Sequence, residues 1–153
     1  MDMKEMVCLL LFIGCTITVR SQNSQKESVE QACLDYLEGF YEGDTAKIIR
    51  CMKPTLYKSG YWRNKKTGVY DFDGLMTFQQ AVAYARNVKL KSHFAKPDSP
   101  KKVEVFDIGN VIASAKVHAW WGVDYILLSK AGDHWMIEEV LWEGPPDLPT
   151  AGK

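Results

Sequence analysis

The sequence predicts an α+β domain, with helices gathered on one face of an antiparallel sheet. Three observations carry that prediction. Apolar residues recur at helical spacing in three stretches before Phe94, the pattern changes to strand-like runs from Val103 onward, and short glycine-containing turns join those runs into a meander.

The chain opens with Met1 to Met6, which holds one lysine, followed by the apolar run Val7 to Gly14 and then Val19-Arg20-Ser21. This is the pattern of a secretory signal over 1–21, cleaved before Gln22. The apolar run falls short of the roughly 20 residues that a membrane span needs. Phe12-Ile13-Gly14-Cys15 also resembles a bacterial lipoprotein box, with phenylalanine in place of the usual leucine, so a lipid anchor at Cys15 is the alternative. Both readings place the protein outside the cytoplasm, periplasmic or secreted. Residues 22–27 then form a short linker, 28–143 the folded domain and 144–153 a flexible tail.

Within the domain, Ser24 to Glu27 fits a capping box ahead of Val29, Ala32, Cys33, Tyr36, Leu37 and Phe40, and Gly43 ends that helix. Asp44 caps a second, short helix carrying Ile48, Ile49 and Met52, stopped by Pro54. Leu56 to Trp62 and Val69 to Phe72 read as strands around the basic loop Arg63 to Gly68. Thr77 to Gln80 is a capping box that opens a third helix with Phe78, Ala81, Val82 and Ala85 on one face. Val103 to Ile108 and Val111 to Trp120 flank the turn Gly109-Asn110, and Val123 to Lys130 and Trp135 to Trp142 flank Ala131 to His134.

Acidic and basic residues balance at 19 each, and removing 1–21 takes two of either sign. A neutral chain argues against nucleic acid as the partner, because phosphate binding needs a basic excess. About 130 residues remain, enough for one domain with a real core. Two cysteines, Cys33 and Cys51, survive the processing. Export permits a disulfide between them, while their apolar helix faces suit free buried thiols.

Alternation through the stretch KVHAWWGVDYILLSK divides the sheet into two faces. Val111, Ala113, Ala115, Val117, Ala119 and Trp121 share one, and an even-length turn near Gly122 adds Asp124, Ile126 and Leu128 to it. Small alanines let helices approach closely or leave a hollow, with Trp121 and Asp124 at its wide end. His118 and Trp120 face outward beside Lys116, which points to a homodimer contact.

The segments CLDYLEGFYEGDTAKIIRCMKPTLYKSGYW, LMTFQQAVAYARN and VFDIGNVIASAKVHAWWGVDYILLSKAGDHWMIEEVLW together resemble the lumazine-binding branch of the nuclear transport factor 2-like superfamily. The resemblance covers Gln31 to Trp142. It implies a cone-shaped fold, three helices on a strongly curved antiparallel sheet enclosing a cavity, with pairing through the outer sheet face. It leaves the ligand open, since fold alone does not fix function.

Relatives on this fold include isomerases of the ketosteroid type and polyketide cyclases, which use a pocket carboxylate as general base. The first strand, LYKSGYW, carries no acid, and Asp71 and Asp73 beside Gly74 read as turn residues. Asp124 and Glu139 are then the candidates for catalysis. Glu138 and Glu139 are adjacent on the last strand, so one of them points inward. Ligand-binding candidates are Tyr57 and Tyr61, which share a face, with Trp121, Asp124 and Trp142. The expected ligand is a small aromatic or heteroaromatic molecule. No cofactor is implied, and no metal: His93, His118 and His134 lie on separate elements without ligand spacing. There is no G-x-S-x-G elbow for a hydrolase, and Lys89, Lys91, Lys101 and Lys102 read as a solvated face. Three functions follow: a small-molecule-binding domain, an isomerase or cyclase using Asp124 or Glu139, or a dimeric interaction module whose cavity is filled by side chains.

Overall fold

The structure is a computed structural model that describes residues 3–145, with side chains from residue 23 onward. The side chains of the expected signal, Cys15 included, and residues 146–153 of the expected tail lie outside the described residues. Three helices, α1 (Met3–Glu42), α2 (Thr45–Cys51) and α3 (Phe78–Leu90), pack on one face of a six-stranded, curved and unclosed sheet. Its strands are β1 (Met52–Arg63), β2 (Tyr70–Met76), β3 (Lys102–Ile108), β4 (Ile112–Ala119), β5 (Gly122–Ala131) and β6 (His134–Glu143), in the spatial order β2-β1-β6-β5-β4-β3. Among the described residues, no helix is long and apolar enough to cross a membrane.

Local signals set the helix boundaries. Asp44 caps α2 by accepting from the backbone N–H groups of Ala46 and Lys47, and Thr77 and Gln80 form the reciprocal capping box of α3. Ala81 and Ala85 are buried on the inner face of α3, with Phe78 and Val82 packed beside them. Ser24, by contrast, does not start a helix. Residues 22–27, expected as a linker, continue α1, and the Ser24 carbonyl accepts from Ser28 Oγ. The indole of Trp135 donates to Gln25 Oε1 and ties this turn to β6.

The sheet is antiparallel except between β1 and β6, the first and last strands, which run parallel. Pro54 therefore stands inside β1 rather than after a helix, in the irregular stretch between the Met52 and Tyr57 pairings. Asp71 and Asp73, expected in a turn, belong to β2, whose pairing continues to Met76. The β3–β4 and β5–β6 hairpins match their sequence signals within a residue, while β1 begins four residues earlier and β2 ends four residues later than expected. Val117 lies opposite Asp124, Ala115 opposite Ile126 and Ala113 opposite Leu128, so the alanine face and the even side of β5 are both buried against the helices. Cys33 and Cys51 sit in that core as free thiols.

Candidate functional site

At the open end of the core, an apolar helix face, an inward strand face and a tight turn bring four polar side chains together. Tyr36 comes from the buried stripe of α1 and Lys58 from the inward face of β1, while Asp124 opens β5 and Trp121 lies in the turn before it. Ala119 pairs with Gly122, which leaves only Trp120 and Trp121 in that turn. Gly122 adopts φ +137°, and a Cβ there would fall 2.0 Å from the Glu143 carbonyl oxygen. Only glycine permits that approach, and the approach sets Trp121 over Asp124.

The four groups form a buried relay. Lys58 Nζ donates to the Tyr36 hydroxyl at 2.7 Å, and that hydroxyl donates to Asp124 Oδ2 at 2.5 Å. Trp121 Nε1 donates to both carboxylate oxygens, at 2.9 and 3.2 Å. Asp124 and Tyr36 are 0% exposed and Lys58 is 7% exposed, with its ammonium 3.8 Å from Asp124 Oδ2. Burial, reinforced by the Asp124 charge, drives the Tyr36 pKa well above the ordinary tyrosine value. Burial lowers that of Lys58, and Asp124 only partly opposes the shift.

Above the relay is a cavity of about 300 Å³, with Phe40, Trp62, Tyr84, Trp120, Trp121 and Trp142 in its walls and Lys58 at its floor. Asp73, Gly74, Leu75 and Met76 of β2 complete its lining. The Lys58 ammonium stands 5.4 Å from the ring centroid of Trp142 and 6.0 Å from that of Trp121, within cation–π range. Trp142 lies against Gly60, where a Cβ would come within 2.2 Å of its indole nitrogen. Aromatic walls around one charged donor are the usual makeup of a small-molecule site. Among the described residues no three His, Cys, Asp or Glu side chains converge as a metal site would need.

Of the residues expected at the site, Trp121, Asp124 and Trp142 come together and the others do not. Asp124 stands behind the cavity, covered by Tyr36 and Trp121, rather than on its wall. Tyr57 is 54% exposed on the outer sheet face, and Tyr61 is exposed there against Phe72. Strand alternation turns Lys58 inward and its tyrosine neighbour outward. Glu139 also faces outward, and Glu138 does not reach the cavity. Ile137 pairs with Leu128 and Glu139 with Leu127, so Glu138 is the extra residue of a bulge, held by Lys53 and Ser129. Trp120, expected on the outer face, is in the turn and lines the cavity, whereas His118 does face outward and bonds Glu104.

Tyr36 and Lys58 were absent from the expected site. A tyrosine within a buried helix stripe signals a hydroxyl in need of a partner, and a lysine between aromatic strand residues is the other visible trace.

Three helices cupped by this curved sheet over a cavity define a nuclear transport factor 2-like domain. The chain belongs to the family described as "Putative lumazine-binding", whose model matches residues 24–143. Among solved structures it is similar to nuclear transport factor 2-like proteins of unknown function from Silicibacter pomeroyi (12% identity, TM-score 0.58, covering 79% of this chain and 96% of that one) and Shewanella baltica (13%, 0.58, 81% and 96%). It is also similar to a domain of unknown function with a cystatin-like fold from Nostoc punctiforme (10%, 0.50, 82% and 80%). At such identities the likeness shows the fold alone. No curated protein matches the sequence.

Proposed function

We propose that this chain is an exported domain that binds a small, flat aromatic or heteroaromatic molecule. The observation that carries the reading is the open cavity walled by four tryptophans, with one buried ammonium at its floor. A planar ring fits between Trp62, Trp121 and Trp142, and an acceptor atom on it meets the Lys58 ammonium. The family description and the fold support ligand binding. A module with a filled cavity is disfavoured by the hollow, and a general base at Asp124 or Glu139 by the absence of both from its walls, where the lining carboxylate is Asp73.

Tryptophan fluorescence tests the reading. A heteroaromatic ligand such as lumazine should quench it saturably, and Trp142→Ala should lose the binding while unfolding remains cooperative. Retention of full affinity by Trp142→Ala, or no saturable quenching by any flat heteroaromatic, counts against it.

The outer sheet face supports a homodimer, though not through Trp120. Tyr57, Phe106, Tyr125, Leu127 and Leu141 are all about half exposed there and line one continuous groove, an apolar patch of the kind that marks a contact. Sedimentation should give a dimer that Leu127→Glu converts to a monomer; a wild-type monomer defeats the proposal. For export, the mature protein should begin near Gln22, and a diacylated Cys15 by intact mass would replace cleavage there with lipidation.

A further inference from the structure

We propose that Lys58 is a carbonyl-reactive amine, which forms an imine with a flat aromatic aldehyde or ketone seated in the tryptophan-walled cavity. The inference rests on the binding reading above and narrows its ligand class.

The geometry supplies what imine formation requires. Lys58 lines the cavity, and among the described residues its ammonium gives a single hydrogen bond, to Tyr36. A ring stacked on Trp142 brings an attached carbonyl carbon next to this nitrogen, since the ammonium is 5.4 Å from that indole's centroid. Lysines desolvated in apolar pockets are the ones that act as amine nucleophiles.

An ammonium cannot attack, so the proton needs somewhere to go. The relay provides the path: Lys58 passes a proton to the Tyr36 oxygen, and Tyr36 passes its own to Asp124 Oδ2. The products are a neutral amine and a neutral carboxylic acid, formed transiently from the ion pair with no change in the net charge of the site. The amine nitrogen then bonds to the carbonyl carbon while the C=O π pair moves to oxygen, giving a carbinolamine. That oxygen collects two protons by way of the nitrogen, one of the nitrogen's own and one returned to it from Asp124 through Tyr36, and leaves as water while the nitrogen lone pair forms the C=N bond. The net change is ammonium plus carbonyl to protonated imine plus one water, with charge conserved. Asp124 and Tyr36 act through Lys58 as positioning and relay residues. Trp121 fixes the carboxylate, so the relay does not depend on a mobile acid.

The test is reductive trapping on the full chain. Incubation with 2-naphthaldehyde and sodium cyanoborohydride at neutral pH, followed by peptide mapping, should label Lys58 at least about tenfold faster than exposed Lys65 or Lys91, because an aldehyde held in the cavity meets this amine at a raised effective concentration. Labelling at this site should saturate with aldehyde and vanish in Lys58→Met. Tyr36→Phe should slow it on the order of 10²-fold and displace its pH–rate profile, as removal of a proton relay does. Labelling spread evenly over the surface lysines overturns the proposal, as does a Tyr36→Phe rate and pH profile equal to wild type. 2-Naphthalenemethanol, which lacks the carbonyl, separates the two readings. If it quenches the tryptophans saturably while Lys58 is not trapped, binding stands and the imine falls; if it does not bind and Lys58 is not trapped, both fall.

Discussion

A double-mutant cycle on Lys58 and Asp124 tests whether the relay is the electrostatic centre of the fold. The charges lie 3.8 Å apart and both residues are withdrawn from water, so their attraction is about 4 kcal/mol at an effective dielectric of about 20. Desolvation offsets part of this, but an unpaired survivor keeps its own desolvation cost, and breaking a buried pair costs about 3–5 kcal/mol. Lys58→Met should fall near about 3 kcal/mol, because Asp124 keeps its bonds from Tyr36 and Trp121. Asp124→Asn should cost about 2–3 kcal/mol, because the stranded ammonium still borders the cavity. The double variant should cost at least about 2 kcal/mol less than the sum, the mark of coupled neighbours. Urea unfolding of all four proteins, followed by tryptophan fluorescence, measures the cycle. Additivity within about 0.5 kcal/mol would show that the two groups do not interact as charges in a dry site, and the reasoning would fail.

Gly60→Ala should push the Trp142 indole off β1, since the new Cβ would approach three of its atoms within 2.4 Å; the expected cost is about 1–3 kcal/mol, with loss of ligand-dependent quenching by titration. Asp44→Ala should lower stability by about 1 kcal/mol in urea through loss of the α2 cap. Backbone donors hold the Asp44 carboxyl below its ordinary 3.8, so that stabilisation is present above this value and lost as pH falls through the folded pKa. Burial, with Glu30 adding to it, pushes the Cys33 thiol up to about 12, and Cys51 higher still, so at pH 8 iodoacetamide should alkylate neither until urea is added. Their raised values stabilise the fold below the ordinary thiol pKa of 9.0, and this is lost as pH rises from there through about 12; Cys33→Ala should flatten that alkaline decline.

What the sequence made legible was whatever is decided locally. Asp44, Thr77 and Gln80 act on backbone groups within one turn, and their caps appear as read. The inward position of Asp124 follows from the parity of a short turn, and Trp120-Trp121 is that turn. Long-range and irregular features were hidden. Lys58 faces inward because β1 lies beside β6, and nothing near Lys58 encodes that pairing. The bulge at Glu138 resets alternation in mid-strand, letting Ile137 and Val140 both point to the core across an interval that strict alternation forbids. Trp120 was assigned outward by extending β4 one residue past Ala119, where the strand has already ended. Tyr36 was legible as a core ring but not as a hydroxyl, because its acceptor is 88 residues away.

The parallel seam between β1 and β6 also bears on how the polypeptide acquires its shape during synthesis. β1 can pair with β2 as soon as both leave the ribosome, but its other edge stays bare until the final strand of the domain is made. Until then the core lacks Ile137 and Val140, and the strand that carries Lys58 is paired on one side only. Contacts so distant along the chain make assembly slow, and an open strand edge is a site for wrong pairing. A nascent chain halted after residue 121 should consequently remain protease-sensitive, with protection arriving abruptly once β6 is added. Acquisition of the fold is thereby tied to the release of the last strand rather than to the growth of the chain before it.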